Sequence, residues 1–237
     1  MAVATGLYGI SFGALAVASG LSVAHTMVLS AVLFSGASQF ALVGVIGAGG
    51  SVAAAVASAA LLGVRNGLYG LQMSPLTGAR GIRRLAAAHL TIDESTGVAG
   101  AQVTPEAART GFWRTGLGVW VCWNVLTLAG ALAGDAMGDP RAWGLDAAAS
   151  AAFLGLLWPR LALADEPHAS ASAVTSVHPN STRRDAQMAA GLAAVIAIAL
   201  VPVTPPGVPV LGAVAAAIVV GLWRPGQRLA TQVGAST

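Results

Sequence analysis

One base and two acids stand where the sequence is otherwise apolar. Arg65 lies in "LLGVRNGLYGLQM", residues 61–73, and Asp93 and Glu94 lie in "LAAAHLTIDESTGVAGAQV", residues 85–103. A guanidinium can hold a carboxylate, a carboxylate can hold an ammonium group or a proton, and Asn66 adds a donor and an acceptor that orient a ligand. A further polar group occurs in "FSGASQFALVG", residues 34–44, where Ser35, Ser38 and Gln39 are spaced i, i+3, i+4 and share one helical face. Ser51, Ser58, Arg65 and Gln72 recur at heptad spacing with Tyr69 one turn beyond Arg65, so a polar stripe follows one side of a helix. A cationic pole, an anionic pole and neutral hydrogen-bonding groups are together what a zwitterion requires.

Each feature also has a plainer reading. Serines and a glutamine on one face can simply bind helices together, at roughly 0.6–2 kcal/mol per hydrogen bond. Arg65 can snorkel to the inner interface instead of marking a pathway. Asp93 and Glu94 are adjacent, so on a regular helix their side chains diverge by about 100° and share one small site only if the backbone is irregular. A helix N-terminus near the surface, with Asp93 or Thr91 as its cap, is the alternative. His89, one turn earlier, is either a proton relay or an ordinary hydrogen-bonded histidine.

The surroundings of these residues identify the solvent they sit in. The chain has 237 residues, 56% hydrophobic and 9% charged, against roughly 25% charged in a soluble domain. Its mean hydropathy is +0.75. Apolar stretches of about 20 residues match helical crossings of a bilayer, and the alternation of a membrane barrel is missing. The fold class is therefore all-α, a polytopic transmembrane helical bundle, read as a single transmembrane domain over 1–237. The abundant glycine and alanine allow close helix packing. The basic residues are all arginine and mostly fall between spans, where they set orientation, so no nucleic-acid partner is expected. The single Cys122 excludes an internal disulfide. His168 and His178 lack acidic or cysteine support at ligand spacing, so neither a metal nor another cofactor is expected. The amino end shows no signal-peptide n-region or cleavage site, so the first apolar run is expected to remain.

Apolar length predicts seven spans near 3–20, 26–48, 51–73, 112–134, 144–163, 187–203 and 208–223, with a re-entrant or broken polar segment near 85–103. If 85–103 dips in and returns, ten of the twelve arginines fall on one face, which the positive-inside bias makes cytoplasmic. That arrangement puts the N-terminus outside and the C-terminus inside. Residues 165–185 read as a flexible hydrophilic loop between spans, and "VPVTPPGVPV" as an outside hairpin. Trp120 and Trp123 read as core. No internal repeat is legible.

The ordered motifs "GISFGALAVASGLS", "FSGASQFALVG", "GVRNGLYGLQMSP" and "HLTIDESTGVA" resemble the AzlC family, the large subunit of two-component branched-chain amino acid exporters. The similarity covers most of 6–163. It implies a multi-pass protein of the bacterial cell membrane that exports valine, leucine, isoleucine and sometimes methionine together with a small AzlD-type membrane subunit. The family's motifs fall on Gly36, Ala37, Ser38, Gln39 and Phe40, on Arg65, Asn66, Leu68, Tyr69 and Gly70, and on Asp93 and Glu94. The expectation is that Ser38, Gln39, Phe40, Arg65, Asn66 and Tyr69 bind the substrate, that Asp93 or Glu94 takes its ammonium group or a coupling proton, and that membrane lipid surrounds the whole. A passive channel, or a structural subunit of a transport complex, is the alternative. An enzyme is not expected, since the carboxylates diverge and no second histidine stands at ligand spacing.

Overall fold

The computed structural model describes residues 1–137, 154 and 179–214. Those residues form helices α1 (Ala2–Ala18), α2 (Val23–Val32), α3 (Gly36–Gly47), α4 (Val52–Thr77), α5 (Ile82–His89), α6 (Asp93–Gly100), α7 (Pro105–Ala136) and α8 (Pro179–Leu200), with no strand among them. Val52–Thr77 and Pro105–Ala136 are long and apolar enough to cross a membrane.

The stem of the bundle is the pairing of α1 with α7, made possible by glycine. A Cβ at Gly13 would meet the carbonyl of Thr127 and the amide of Ala131, and one at Gly130 would meet the backbone of Ile10. The two backbones touch, as in small-residue packing of membrane helices. The partners rise together along both helices: Ala2 lies at Gly118, Gly6 at Cys122, Gly9 at Trp123 and Thr127, and Ala14 at Gly134. Thus α1 runs parallel to the second half of α7.

That parallelism constrains everything between the two helices. From the end of α1, α2 descends until the Ala31 carbonyl accepts from Trp120 Nε1 at 3.4 Å, and Gly36 packs on the ring of Trp123. The chain breaks there. Leu33 (φ −90°, ψ 66°) ends α2 and Ser35, extended at φ −153°, starts α3. Helix α3 then climbs back to the level it left, for Gly47 meets Ser19 just past the end of α1. Residues 23–47 are thus a helical hairpin that enters and leaves by one face.

Helix α4 is the return crossing. It begins at Ser51, whose hydroxyl accepts from the Ala54 amide, passes Ser38 at Gly63, and stops at the left-handed Gly78 (φ 58°). There Arg109 near the start of α7 donates from Nε to the Leu76 carbonyl at 2.8 Å. The second hairpin enters from this end. Helix α5 rises until Leu90 packs against Gly116, and α6 descends past it with Ser95 at Gly116 and Val98 at Gly111. The tips of the two hairpins meet, with the Phe34 and His89 rings 5.7 Å apart.

Residues 2–100 therefore form two units with the same order of elements and opposite direction, beside α7 and α8. One is α1 followed by the α2–α3 hairpin; the other is α4 followed by the α5–α6 hairpin. The axis relating such units lies in the membrane plane, an inverted repeat of the kind on which many transporters are built.

Several expectations are corrected by this. The span expected at 26–48 is a hairpin, because Ser35 breaks it and α3 reverses direction. The broken segment at 85–103 is confirmed in outline, as α5 and α6. With both segments re-entrant, α1 runs away from the face bearing Arg80, Arg83, Arg84 and Arg109. The amino end is thus directed toward the arginine face and not the opposite one. In the 165–185 segment, helix α8 already begins at Pro179, a residue whose fixed φ suits a first helical position; residues 165–178 lie outside the described residues. So does the span expected at 144–163, apart from Leu154. The turn at 201–207 packs Pro206 on Gly50 and Gly207 on Ala54, on the face opposite the arginines, and the chain is helical again at 208–214.

Accessibility to a membrane-impermeant maleimide distinguishes a hairpin from a span. In a Cys122→Ala background, Ala24→Cys and Ala48→Cys should label from one face, and Ala79→Cys and Val103→Cys from the other. Labelling of Ala24→Cys and Ala48→Cys from opposite faces would restore a full crossing at 26–48.

Candidate functional site

Breaking a helix inside an apolar medium exposes backbone carbonyls at the end of one half and amides at the start of the next. Each left unpaired there costs several kcal/mol. In the first hairpin, Gln39 reaches back across the break. Its Nε2 donates to the carbonyls of Ser30 at 3.2 Å and Leu29 at 3.4 Å, and the residue is fully buried. The carboxamide that sequence analysis set in a ligand cavity thus ties the two halves of its own hairpin together. Ser35 donates its hydroxyl to that of Ser38 at 3.1 Å.

Ser95 serves the second hairpin in the same way. Its hydroxyl accepts from the Ile92 amide at 3.0 Å and faces the carbonyls of Leu90 at 2.6 Å and Ile92 at 3.2 Å. The Thr91 hydroxyl donates to the Ala87 carbonyl at 2.7 Å. Ser38 and Ser95 are each the third residue of the returning helix.

The tips differ in charge. Helix α6 opens with Asp93 and Glu94, whereas the first turn of α3 contains no acid and Ser35 makes no side-chain cap. Both helices direct the positive end of their dipole to the centre of the bundle. At α6 the chain's own carboxylates occupy that end; at α3 the amides of Gly36, Ala37 and Ser38 precede the first intrahelical bond, Gln39 N–H to Ser35 C=O at 2.9 Å.

Arg65 and Asp93 form an ion pair, Nη2 to Oδ2 at 2.8 Å. Arg65 therefore does not snorkel to the interface. The backbone ahead of Asp93 is irregular, with Ile92 extended at φ −129°, but the acids still diverge: Asp93 turns to α4, and Glu94 lies toward the Thr5 side chain of α1, within reach of the charge of Arg65. The structure thus brings Arg65, Asp93 and Glu94 together and adds Thr5, for which the sequence offers no signal beyond a hydroxyl in an apolar helix. Gln39 has other surroundings, since its amide nitrogen is committed to α2. Phe40, expected to line a substrate slot, is 1% exposed and packs edge-on against both Phe12 and Trp123 in the core. Trp123 is core, as expected. Asn66 is half-buried beside Arg65, and Tyr69 lies one turn further along α4.

Several buried polar atoms have no partner among the described residues: Gln39 Oε1, Asn66 Oδ1, Asp93 Oδ1, Arg65 Nε and Thr96 Oγ1. Such atoms are the exception in native interiors. Here they gather around the hairpin tips and the helices that face them, and both donors and acceptors are represented. Among the described residues no group of His, Cys, Asp and Glu is suited to a metal ion.

The profile of one protein family, described as AzlC protein, matches residues 1–137, the stretch that contains both hairpins and α7. Neither a curated protein nor a solved structure matches the chain.

Two sets of variants test this geometry. Gln39→Leu and Ser95→Ala should each lower the stability of the purified protein by about 1–3 kcal/mol, the cost of stranding buried carbonyls, as read from unfolding midpoints; an unchanged midpoint in both would remove the tie across the breaks. For the ion pair, Arg65→Leu and Asp93→Asn should each destabilise, and the double variant by clearly less than their sum. Strict additivity would mean that the pair is not coupled.

Proposed function

The chain belongs to the AzlC family, and from that premise we propose that it is a secondary transporter exporting branched-chain, and other aliphatic, amino acids across the bacterial cytoplasmic membrane. A membrane protein of a transport-associated family, built of helices, is read as a carrier. The observation that carries the reading is the meeting of two hairpins from opposite faces beside a charged pair. Broken helices at the midplane, with half-helix ends turned toward a shared centre, are how inverted-repeat carriers bind substrate.

In this reading the substrate carboxylate takes the acid-free N-terminus of α3, at Gly36–Ser38, with Arg65 as the nearby cation. The ammonium group takes Asp93 or Glu94. Ser38, Gln39 through its free Oε1, Asn66 and Tyr69 orient the molecule. Proton coupling follows if a carboxylate holds either a proton or the ammonium group, so that proton entry displaces the substrate. The arginine face is cytoplasmic by the positive-inside bias, which Arg80, Arg83, Arg84, Arg109 and Arg114 all support.

In this reading an AzlD-type subunit lies against α4. Arg65 and Asp93 are 35% and 32% exposed, and the same helix exposes Val64, Leu68 and Leu71. A charged pair at mid-depth facing acyl chains is costly, by anything from about 2.5 to more than 10 kcal/mol per ion. A small membrane subunit laid on α4 would cover the pair and leave the apolar residues packed.

The test is counterflow of labelled valine in vesicles containing the chain with and without such a subunit. Asp93→Asn and Glu94→Gln should insert normally, and at least one should cut proton-dependent efflux by roughly tenfold or more, a change of about 1.4 kcal/mol or greater. Arg65→Leu should impair it more than Arg65→Lys. Full activity in both acid variants removes the carboxylates from the mechanism, and flux that neither saturates nor selects between enantiomers makes the protein a channel.

A further inference from the structure

We propose that the groove at the base of the second hairpin binds the phosphate headgroup of an anionic phospholipid. The groove lies away from the hairpin tips, at the end where α4 stops and α5 begins. It is an open cavity of about 680 Å³ lined by Thr77, Ala79, Arg80, Arg83, Ala86 and Trp113. Three elements meet there: the turn after α4, the first limb of the hairpin, and α7.

The chemistry of the lining selects the ligand. Arg80 and Arg83 both line this one space, and among the described residues the ion pair is Arg65 with Asp93, so no carboxylate is paired with them. Paired guanidinium groups match phosphate oxygens in geometry as well as charge. Arg109 holds the turn in place through the Leu76 carbonyl, and Gly78 and Gly81, at φ 58° and 55°, give it a shape that other residues rarely adopt. The turn that carries Arg80 is thus shaped by its own backbone.

Apolar neighbours distinguish a lipid from a free anion. On α5, Ile82 and Leu85 are 78% and 67% exposed, next to the arginines and on the helix that forms one wall. Trp113, half-buried, supplies an indole of the type that favours the headgroup level. A ligand with a phosphate head and a hydrocarbon tail satisfies both halves of this surface, whereas inorganic phosphate leaves the apolar half in water. Basic pockets between helices on the cytoplasmic side are used in this way for acidic headgroups.

Occupancy has a mechanical effect. A phosphate bridging Arg80 on the turn and Arg83 on α5 fixes the rising limb of the second hairpin to the ends of α4 and α7. The charge of the surrounding leaflet would then bias the position of the tip that carries Asp93 and Glu94.

The full chain in detergent would be titrated with phosphatidylglycerol, phosphatidylcholine or inorganic phosphate, with thermal unfolding and native mass spectrometry as readouts, neither of which requires transport. Phosphatidylglycerol should raise the midpoint by roughly 5 °C over phosphatidylcholine and remain bound in the gas phase. Arg80→Gln/Arg83→Gln should lose most of that increment, Arg80→Lys/Arg83→Lys should keep part of it, and Arg84→Gln, outside the groove, should keep all of it. If the double Gln variant does not fold, the single Gln variants are read in its place. Equal effects of the two lipids, an increment that survives in the Gln variants, or an equal loss in Arg84→Gln would each overturn the site. An effect of inorganic phosphate matching that of phosphatidylglycerol would assign the groove to a free anion and overturn the lipid.

Discussion

Backbone groups that a helix leaves open must find partners inside the protein when no water is at hand, and this requirement organises the bundle. Two hairpins place their breaks deep in the structure, and each break is closed by a side chain from its own returning helix. Gln39 collects the carbonyls at the end of α2; Ser95 and Thr91 collect those at the end of α5 and around the second break. The Trp120 indole adds a bond from α7 to the first hairpin. With these contacts in place the chain can reverse direction at mid-depth, and only then can half-helix ends face each other across the centre.

The two units are alike in architecture and unlike in charge. One returning helix begins with two acids, one held by Arg65 and the other lying toward Thr5. The other begins with glycine, alanine and serine and keeps its amides open. An inverted pair of hairpins with equal tips would offer a ligand the same pole twice. Making one acidic and leaving the other as bare dipole sets up opposite poles a short distance apart, which an amino acid's own charges can bridge.

The long helices were legible because their apolar runs are long, and α4 and α7 fall close to where hydropathy sets them. Residues 85–103 were legible as broken because Asp93, Glu94, Ser95 and Thr96 interrupt the run. The first hairpin was not, since "VAHTMVLSAVLFSGASQFALVGVIG" is apolar almost throughout and length alone cannot tell one crossing from two half-crossings. That single misreading also reversed the amino end, because orientation depends on the parity of crossings between arginine clusters. At the site, Arg65 and Asp93 were singled out by their types as opposite poles for a ligand, and their bond to each other was not foreseen. Gln39 was found as a buried amide, but the carbonyls that its Nε2 binds were not, since sequence shows that a polar group needs satisfying and not which group satisfies it. Thr5 was missed for want of any periodic signal. The parallel run of α1 and α7 was written in glycines on both helices, and only their three-dimensional register joins them.

The backbone contact between α1 and α7 has a bearing on how the protein is made. Five helical elements are synthesised between these two, so the first helix emerges from the ribosome well before the one it is shaped to meet. Until then its glycine edge rests against lipid, and the first hairpin has neither Trp120 nor Trp123 to lean on. Both hairpins settle on α7, the last of the seven elements to arrive. Assembly of this half of the molecule is therefore a late, concerted event, and a nascent chain halted before α7 would hold its parts without their common support.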